Sequence, residues 1–473
     1  MRTARLFVHG SWIDGVSTFE MRDKYDGTPV AEVHEAGSEH VDAALEGVAR
    51  GQRDHALPPY DRFRILSTAA RRMEELHDEF VNTVVLDTGF TLTDARREVS
   101  RAAQTLLLSA EEAKRIHGEV VPFDSAPGVS ERYAFTVRRP LGVVCAITPF
   151  NSPLNTLTHK VAPALAAGNG VVVKPASYTP LSAGMLVQLL LDAGLPPDLV
   201  ALVQGPGSTV GQRLLESPIP SFYAFTGSTE VGEHIRRTVG LRRTQLELGS
   251  LSSTIVCEDA VLDRCVPLCV GAAFRKAGQV CTSVQRLYVH AAVVDEFLSA
   301  IKDELGSRTA GDPKQEGTFV GPVISAEDAD RIESWIDRAT RRGAQVVHGG
   351  RRSGQVIEPT VLDDVAADLD VFCREIFGPV VSIRPFSDFD EALAEVDDTP
   401  FGLAAGIFTS DITRALTAAE RLRMGSVHIN ETSSSRVDLM PYGGVKHSGL
   451  GLEGPRYAID EMTEQRLISI GRP

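Results

Sequence analysis

Cysteine is scarce in this chain. Six residues of 473 (Cys145, Cys257, Cys265, Cys269, Cys281 and Cys373) carry a thiol, and no two are spaced as CxxC. That excludes a disulfide framework and gives no zinc-site signal, so free thiols in a reducing cytoplasm and no bound metal are expected. Cys265 and Cys269 share a helical face at i, i+4 and read as small buried hydrophobes. Positive charge is also short: 48 Lys and Arg face 63 Asp and Glu, a formal net charge of −15. A duplex binder needs a basic face, so nucleic acid is not expected as a partner. No apolar run approaches the length of a membrane span, and the opening residues Met1 to Phe7 lack the apolar stretch of a secretory signal, so no membrane role is expected. Internal repeats, low-complexity tracts and a GxGxxG phosphate loop are absent as well.

What is present reads as a soluble α/β protein of more than one domain, since 473 residues exceed what one core usually supports. Strand-like runs at Gly142–Ile147, Gly170–Lys174, Leu199–Val203, Ser221–Phe225 and Thr244–Leu248 alternate with helical patterns at Leu154–Ala167, Leu181–Ala193, Thr209–Glu216 and Thr229–Val239. Apolar strands alternating with helices predict a parallel, doubly wound sheet. Such a sheet binds phosphate-bearing ligands at strand carboxyl ends, near helix N-termini. The segment 41–118 reads as mostly helical, including Ala69–Phe80 and Asp94–His117. Strand patterns at Tyr133–Val137 and Gln465–Ile470 stand apart from the alternation. A second α/β region, about Leu251 to Gly449, carries strand candidates at Thr254–Cys257, Arg286–Val289, Val380–Pro385 and Ala404–Thr409.

Two features carry chemistry. Cys281 sits in the small loop Ala277-Gly278-Gln279-Val280-Cys281-Thr282, and Glu247 sits where a strand-like run breaks at Gly249, 34 residues upstream. A thiolate can attack an electrophilic carbon, and a carboxylate can activate the water that releases the product. Around them, in order, come Pro149-Phe150-Asn151, Gly168-Asn169-Gly170-Val171-Val172-Val173-Lys174-Pro175, Phe225-Thr226-Gly227-Ser228-Thr229-Glu230-Val231-Gly232, Glu375-Ile376-Phe377-Gly378-Pro379 and Pro441-Tyr442-Gly443-Gly444-Val445-Lys446-His447-Ser448-Gly449. Together these resemble the aldehyde dehydrogenase superfamily, in family order from Pro149 to Gly449. The tail Arg436 to Gly444 resembles the lactaldehyde, non-phosphorylating glyceraldehyde-3-phosphate and phosphonoacetaldehyde dehydrogenase branch.

The resemblance implies an aldehyde dehydrogenase fold: a variant Rossmann cofactor domain (1–118 and 141–248), an α/β catalytic domain (249–449) and a small β oligomerisation arm (119–140 and 455–473). The arm implies a homodimer or homotetramer. Cys281 is then the nucleophile that forms a thiohemiacetal and a thioester, Glu247 the base for thioester hydrolysis, and Asn151 the oxyanion donor beside the Cys281 backbone N–H. An oxyanion donor is worth about 3 kcal/mol in the transition state. Asn151 also reads as a helix N-cap. A helix N-terminus or nearby positive charge is expected to lower the Cys281 thiol pKa. NAD or NADP is expected to be held by Ile147, Thr148, Lys174, Ser177, Gly207, Phe225, Gly227, Ser228, Val231, Leu248, Glu375 and Phe377.

Departures from the family narrow the reading. Ser177 stands where NAD-preferring relatives place a glutamate. Without that carboxylate to repel a 2′-phosphate, NADP is permitted. Gly249-Ser250-Leu251-Ser252 replaces a common Gly-Gly-Lys. The positions that line an apolar tunnel in relatives read Asn155, Thr156 and His159, then Arg275, then Arg436, with Arg101 at a further tunnel position. With Thr282 and Tyr442 they form the expected substrate pocket, and its arginines suit a small anionic aldehyde bearing phosphonate, phosphate or carboxylate. The alternatives are a succinate-semialdehyde or general aliphatic aldehyde dehydrogenase, and, from another class, a catalytically silent structural homologue. The retained Cys281, Glu247 and Asn151 weigh against silence, and Glu247 weighs against a CoA-acylating enzyme.

Overall fold

The computed structural model describes residues 1–125, 127–128 and 132–471. Its first sheet has eight strands. Five of them form a parallel centre, in the order Arg243–Glu247, Phe222–Thr226, Val143–Ile147, Gly170–Lys174, Val200–Leu202. Leu6–Val8 and Ser11–Ile13 close one edge antiparallel, and Gly449–Leu450 closes the other. Both faces are buried. Along Val143–Ile147, Val144 and Ala146 enter one hydrophobic core while Val143 and Cys145 enter another. That is the two-residue alternation of a central strand covered by helices on both sides.

Strand order reverses between Val143–Ile147 and Phe222–Thr226, because the chain runs outward one way through Gly170–Lys174 and the other way through Arg243–Glu247. A crevice opens at the carboxyl ends of strands at such a reversal. Ile147, Lys174, Thr226 and Glu247 are the last residues of their strands, so all four face it.

The second sheet has seven strands, centred on the parallel run Thr360–Asp363, Val380–Phe386, Arg286–His290, Ser253–Val256, Ala404–Phe408 and Ser426–Ile429. Gln345–His348 pairs antiparallel at one edge. Its core is separate from those of the first sheet. A third, antiparallel sheet joins Thr463–Gly471 to Arg132–Pro140 and Val120–Val121, with nine residues of each long strand in register. Of the arm expected over 119–140 and 455–473, residues 126, 129–131, 472 and 473 lie outside the described residues.

Three helical expectations shift. The pattern Ala69–Phe80 predicts one helix, but the chain breaks at Leu76 between Pro59–Glu75 and His77–Thr88. Leu76 leaves the helical region at φ −98°, ψ 20° and is exposed. Asp94–His117 is Leu92–Ala113, started by Thr91, whose side chain accepts from the Asp94 N–H. The segment expected as a helix over Thr209–Glu216 begins instead with a wide π-helical turn at Gly207–Gly211 before Gln212–Glu216.

Candidate active site

The crevice at the strand reversal is a cavity of about 770 Å³. Eleven of the twelve expected cofactor residues line it: Ile147, Thr148, Lys174, Gly207, Phe225, Gly227, Ser228, Val231, Leu248, Glu375 and Phe377. Ser228 caps the helix Thr229–Val239 by accepting from the Val231 N–H, which leaves other first-turn N–H groups facing the cavity for an anion. Lys174 is buried, its Nζ 3.2 Å from the Pro175 carbonyl, and burial pushes its pKa down to about 8. Glu375 accepts from the Ser250 N–H at 3.1 Å, and burial pushes its carboxyl up to about 7. A Cβ on Gly249 would stand 2.8 Å from that carboxylate, and one on Gly227 would stand 2.4 Å from the Phe225 ring. The glycines therefore keep the crevice open, and a dinucleotide fits its size and its donors. The exception is Ser177, whose hydroxyl donates to the Gly205 carbonyl at 3.3 Å and does not line the cavity.

Cys281, Glu247 and Asn151 line the same cavity. Cys281 lies in the loop between the helix Leu262–Phe274 and the strand Arg286–His290. That loop turns through three consecutive left-handed residues, Lys276, Ala277 and Gly278, at φ 53°, 53° and 69°. Two of them carry a Cβ, which costs about 1–2 kcal/mol each. Gly278 has no alternative, because a Cβ there would meet the Gly378 carbonyl oxygen at 2.0 Å. Lys276 is pinned on both ends: its N–H donates to Asp94 at 2.7 Å, and its buried Nζ donates to Glu98 at 2.6 Å and to the Asn151 carbonyl at 3.0 Å. Glu98 also accepts from the Ser152 hydroxyl and the Asn155 N–H. One buried ion pair thus fixes the Cys281 loop against the Asn151 loop.

Asn151 donates one amide hydrogen to the Gln279 carbonyl at 2.8 Å, which leaves the second for another acceptor. It does not cap the following helix, which starts at Asn155 with Leu154 at the cap position. Among the described residues the Cys281 backbone N–H has no acceptor. The half-buried thiol stands 2.9 Å from the Tyr442 hydroxyl. No helix starts at Cys281, contrary to one expectation for its acidity. Burial pushes the thiol pKa up and outweighs the lowering by the Tyr442 hydrogen bond and the Arg436 charge, with Glu375 and Glu247 adding to the rise.

Glu247 is buried, and among the described residues neither of its oxygens has a hydrogen-bond partner. Burial, then the nearby Glu453 carboxylate, push its pKa well above the ordinary 4.5 against the opposing pull of Lys160 and Arg436. Behind it, Glu453 accepts from Lys160 at 2.8 Å and from Arg436 at 2.8 Å. Burial alone would raise Glu453, but the two cations outweigh it and hold the carboxyl below its usual range. Sequence reasoning passed over Lys160, Glu453, Lys276 and Glu98. The signal for Lys160 was readable, because it sits mid-way along an apolar helix in which every residue is buried, and a buried lysine needs a carboxylate.

The expected substrate arginines divide. Arg101 is bound bidentately by Asp438 at 2.7 and 3.1 Å, and the same carboxylate accepts from Asn155 at 3.1 Å and pairs with His159 at 3.0 Å. Burial would raise Asp438, but His159 and Arg101 hold it well below the usual carboxylate range. Arg101, Asn155 and His159 are therefore spent on a carboxylate of the chain itself. The expectation is that Arg101 and His159 help to hold an anionic group of the substrate; here Asp438 balances the Arg101 charge. Thr156 is buried in the same helix. Arg436 pairs with Glu453 and stacks over the Tyr442 ring at 3.7 Å. Arg275 differs from these. It donates to Ser434 at 2.6 Å, and the nearby Asp94 carboxylate acts on it without a direct ion pair among the described residues. Burial and the neighbouring Arg97 and Arg101 charges push its pKa down to about 10. Arg97, Arg275, Arg308 and Arg436 line a second cavity of about 520 Å³ together with Asp94, Glu431, Ser434 and Ser435. Ser434 reaches from there to Thr282, the residue after Cys281, at 3.2 Å. Among the described residues, no three His, Cys, Asp or Glu side chains gather as metal ligands, and no helix is long and apolar enough to cross a membrane.

Known proteins resemble this chain along nearly its whole length. The family model described as "Aldehyde dehydrogenase family" matches residues 12–468. The 3-sulfolactaldehyde dehydrogenase of Priestia aryabhattai is 44% identical over 98% of this chain and 97% of its own length. Aspartate-semialdehyde dehydrogenase 1 of Pseudomonas canavaninivorans is 39% identical over 95% and 96%. The crystal structure of the NADP-dependent glyceraldehyde-3-phosphate dehydrogenase of Bacillus halodurans C-125, complexed with NADP, superposes with a TM-score of 0.97 at 34% identity and covers 100% of both chains.

Proposed function

The chain belongs to the aldehyde dehydrogenase family and is an NAD(P)-dependent oxidoreductase, and from that premise we propose that it oxidises a small aldehyde bearing an anionic group to the carboxylic acid. The observation that carries this reading is Arg275: a guanidinium with no direct ion pair among the described residues, in a cavity next to the nucleophile loop lined by four arginines and two carboxylates. A planar fork of donors suits a sulfonate, phosphonate, phosphate or carboxylate. The names of the relatives above, acting on sulfolactaldehyde, aspartate semialdehyde and glyceraldehyde 3-phosphate, support the anionic class and add sulfonate to it.

Cys281 Sγ bonds to the aldehyde carbon, and the oxyanion that forms accepts hydrogen bonds from the free Asn151 amide N–H and the Cys281 backbone N–H. Lys174, Ser228, Glu375 and Phe377 hold the dinucleotide, which when bound supplies the hydride acceptor. The thioester left on Cys281 is hydrolysed by water whose proton Glu247 takes. Residues 1–118 and 141–248 serve as the nucleotide unit and 249–449 as the catalytic one. Val120, Tyr133, Leu467 and Ile470 are exposed on the arm sheet, which supports assembly as a homodimer or homotetramer. Free thiols support a cytoplasmic location.

The test pairs anionic aldehydes of each class with neutral aldehydes of equal length, in wild type and Arg275→Gln. A buried charge-assisted contact is worth about 1.5–3 kcal/mol, so kcat/KM on the anionic member should fall about 10- to 150-fold with little change on the neutral one. Equal losses on both would make Arg275 structural. A wild type that prefers neutral aldehydes would favour the general aliphatic alternative.

A further inference from the structure

Tyr442 was expected to touch the substrate, yet its hydroxyl is 2.9 Å from Cys281 Sγ. The residue is held in two ways. Its backbone forms a two-way bridge with Glu453, N–H to carbonyl at 3.1 and 2.6 Å. Its face carries the Arg436 guanidinium at 3.7 Å, and that guanidinium is fixed in turn by the Glu453 carboxylate. The residue is buried, so the phenol has little freedom to leave the sulfur. We propose that Tyr442 holds the Cys281 thiolate by donating its phenol O–H to Sγ, and that Arg436, stacked on the ring, strengthens the donation.

The chemistry is a hydrogen bond to a charged acceptor. The thiol gives its proton to solvent, and the phenol keeps its own while pointing it at sulfur. A cation over an aromatic face withdraws electron density from the ring, which makes the phenol a better donor. A hydrogen bond to an ionised acceptor favours the ionised form. The groups that act on the thiol are Tyr442 and Arg436, which lower its pKa, and burial, Glu375 and Glu247, which raise it. Arg275 lies close enough to interact with the thiol as well. Tyr442 stays protonated throughout, because burial and the adjacent sulfur push its pKa well above 10. Tyrosine at this position is thus a device that offsets part of the cost of burying the nucleophile.

This inference rests on the reading that Cys281 is the nucleophile. The full-length wild type and Tyr442→Phe, which loses one oxygen, are alkylated with iodoacetamide without aldehyde, and modification of the Cys281 peptide is followed by mass spectrometry across pH. Loss of one charge-assisted hydrogen bond should move the inflection about one pH unit or more to the alkaline side, so alkylation at neutral pH slows about tenfold while the alkaline plateau is kept. Arg436→Gln should move the inflection the same way by less. A profile that superposes on wild type overturns the proposal, as does a shift to acid or a change confined to the plateau. The two readings fail separately: aldehyde turnover retained by Cys281→Ala removes the nucleophile and leaves the alkylation profile standing.

Discussion

Glu247 is where a change of pH and a one-atom substitution speak to the same step. Its carboxyl is buried, its oxygens have no hydrogen-bond donor among the described residues, and the Glu453 carboxylate faces it. Its pKa therefore lies well above the ordinary 4.5. A protonated carboxyl cannot take a proton from water. Below its pKa the ionised fraction drops tenfold per pH unit, so thioester hydrolysis should slow by about that factor for each unit of acidification. Formation of the thioester does not need Glu247. In stopped-flow experiments from about pH 5.5 to about pH 8.5, the burst of NAD(P)H should keep its amplitude of one per site while the steady phase follows the ionised fraction. Glu247→Gln should keep the burst, lose the steady phase by about 10²-fold or more, and flatten its pH dependence. A wild-type steady phase that is already flat from the acid end would mean that the carboxyl is ionised in the working enzyme, and the argument from burial would fail. A normal steady state in Glu247→Gln would assign the base elsewhere.

Cofactor choice and the Asp438 cluster give two more expectations. Ser177→Glu places a carboxylate beside the bend near Lys174, so kcat/KM for NADP should drop about 10- to 150-fold relative to NAD, read as the ratio of initial rates with each nucleotide; an unchanged ratio would show that another residue sets it. Asp438→Asn removes the charge that satisfies Arg101, Asn155 and His159, and breaking such a buried pair should cost about 3 kcal/mol in chemical denaturation at neutral pH. Because the Asp438 pKa is depressed, its contribution is present above the unfolded carboxylate pKa and lost as pH falls through the folded one, so the gap between wild type and variant should begin to narrow below about pH 4. A gap that is absent at neutral pH would mean that the pair adds nothing net.

The parallel sheet was legible because continuous apolar runs alternating with helical patterns act locally: Gly170–Lys174 was read with its observed bounds, and the helix Thr229–Val239 likewise. That eleven of the named residues would line one cavity was legible only through the resemblance, which gives the motifs and their order. What stayed hidden is set by distance in the chain. Arg101 and Asp438 are 337 positions apart, and nothing near either one says that they meet. Read alone, Arg101 looks like free charge; once folded, it is half of a pair. The left-handed turn through Lys276 and Ala277 was hidden for the opposite reason. Neither residue favours that conformation, and only the buried anchors on Asp94, Glu98 and Asn151 hold it.

The central claim is that oxidation passes through an acyl group on Cys281. The direct measurement is acid-quenched mass spectrometry of Glu247→Gln mixed with NADP and an anionic aldehyde, followed by peptide mapping. The account predicts one acyl adduct per chain, on the peptide that contains Cys281, formed at the rate of the NAD(P)H burst. A burst with no adduct, or an adduct on any other residue, would contradict it.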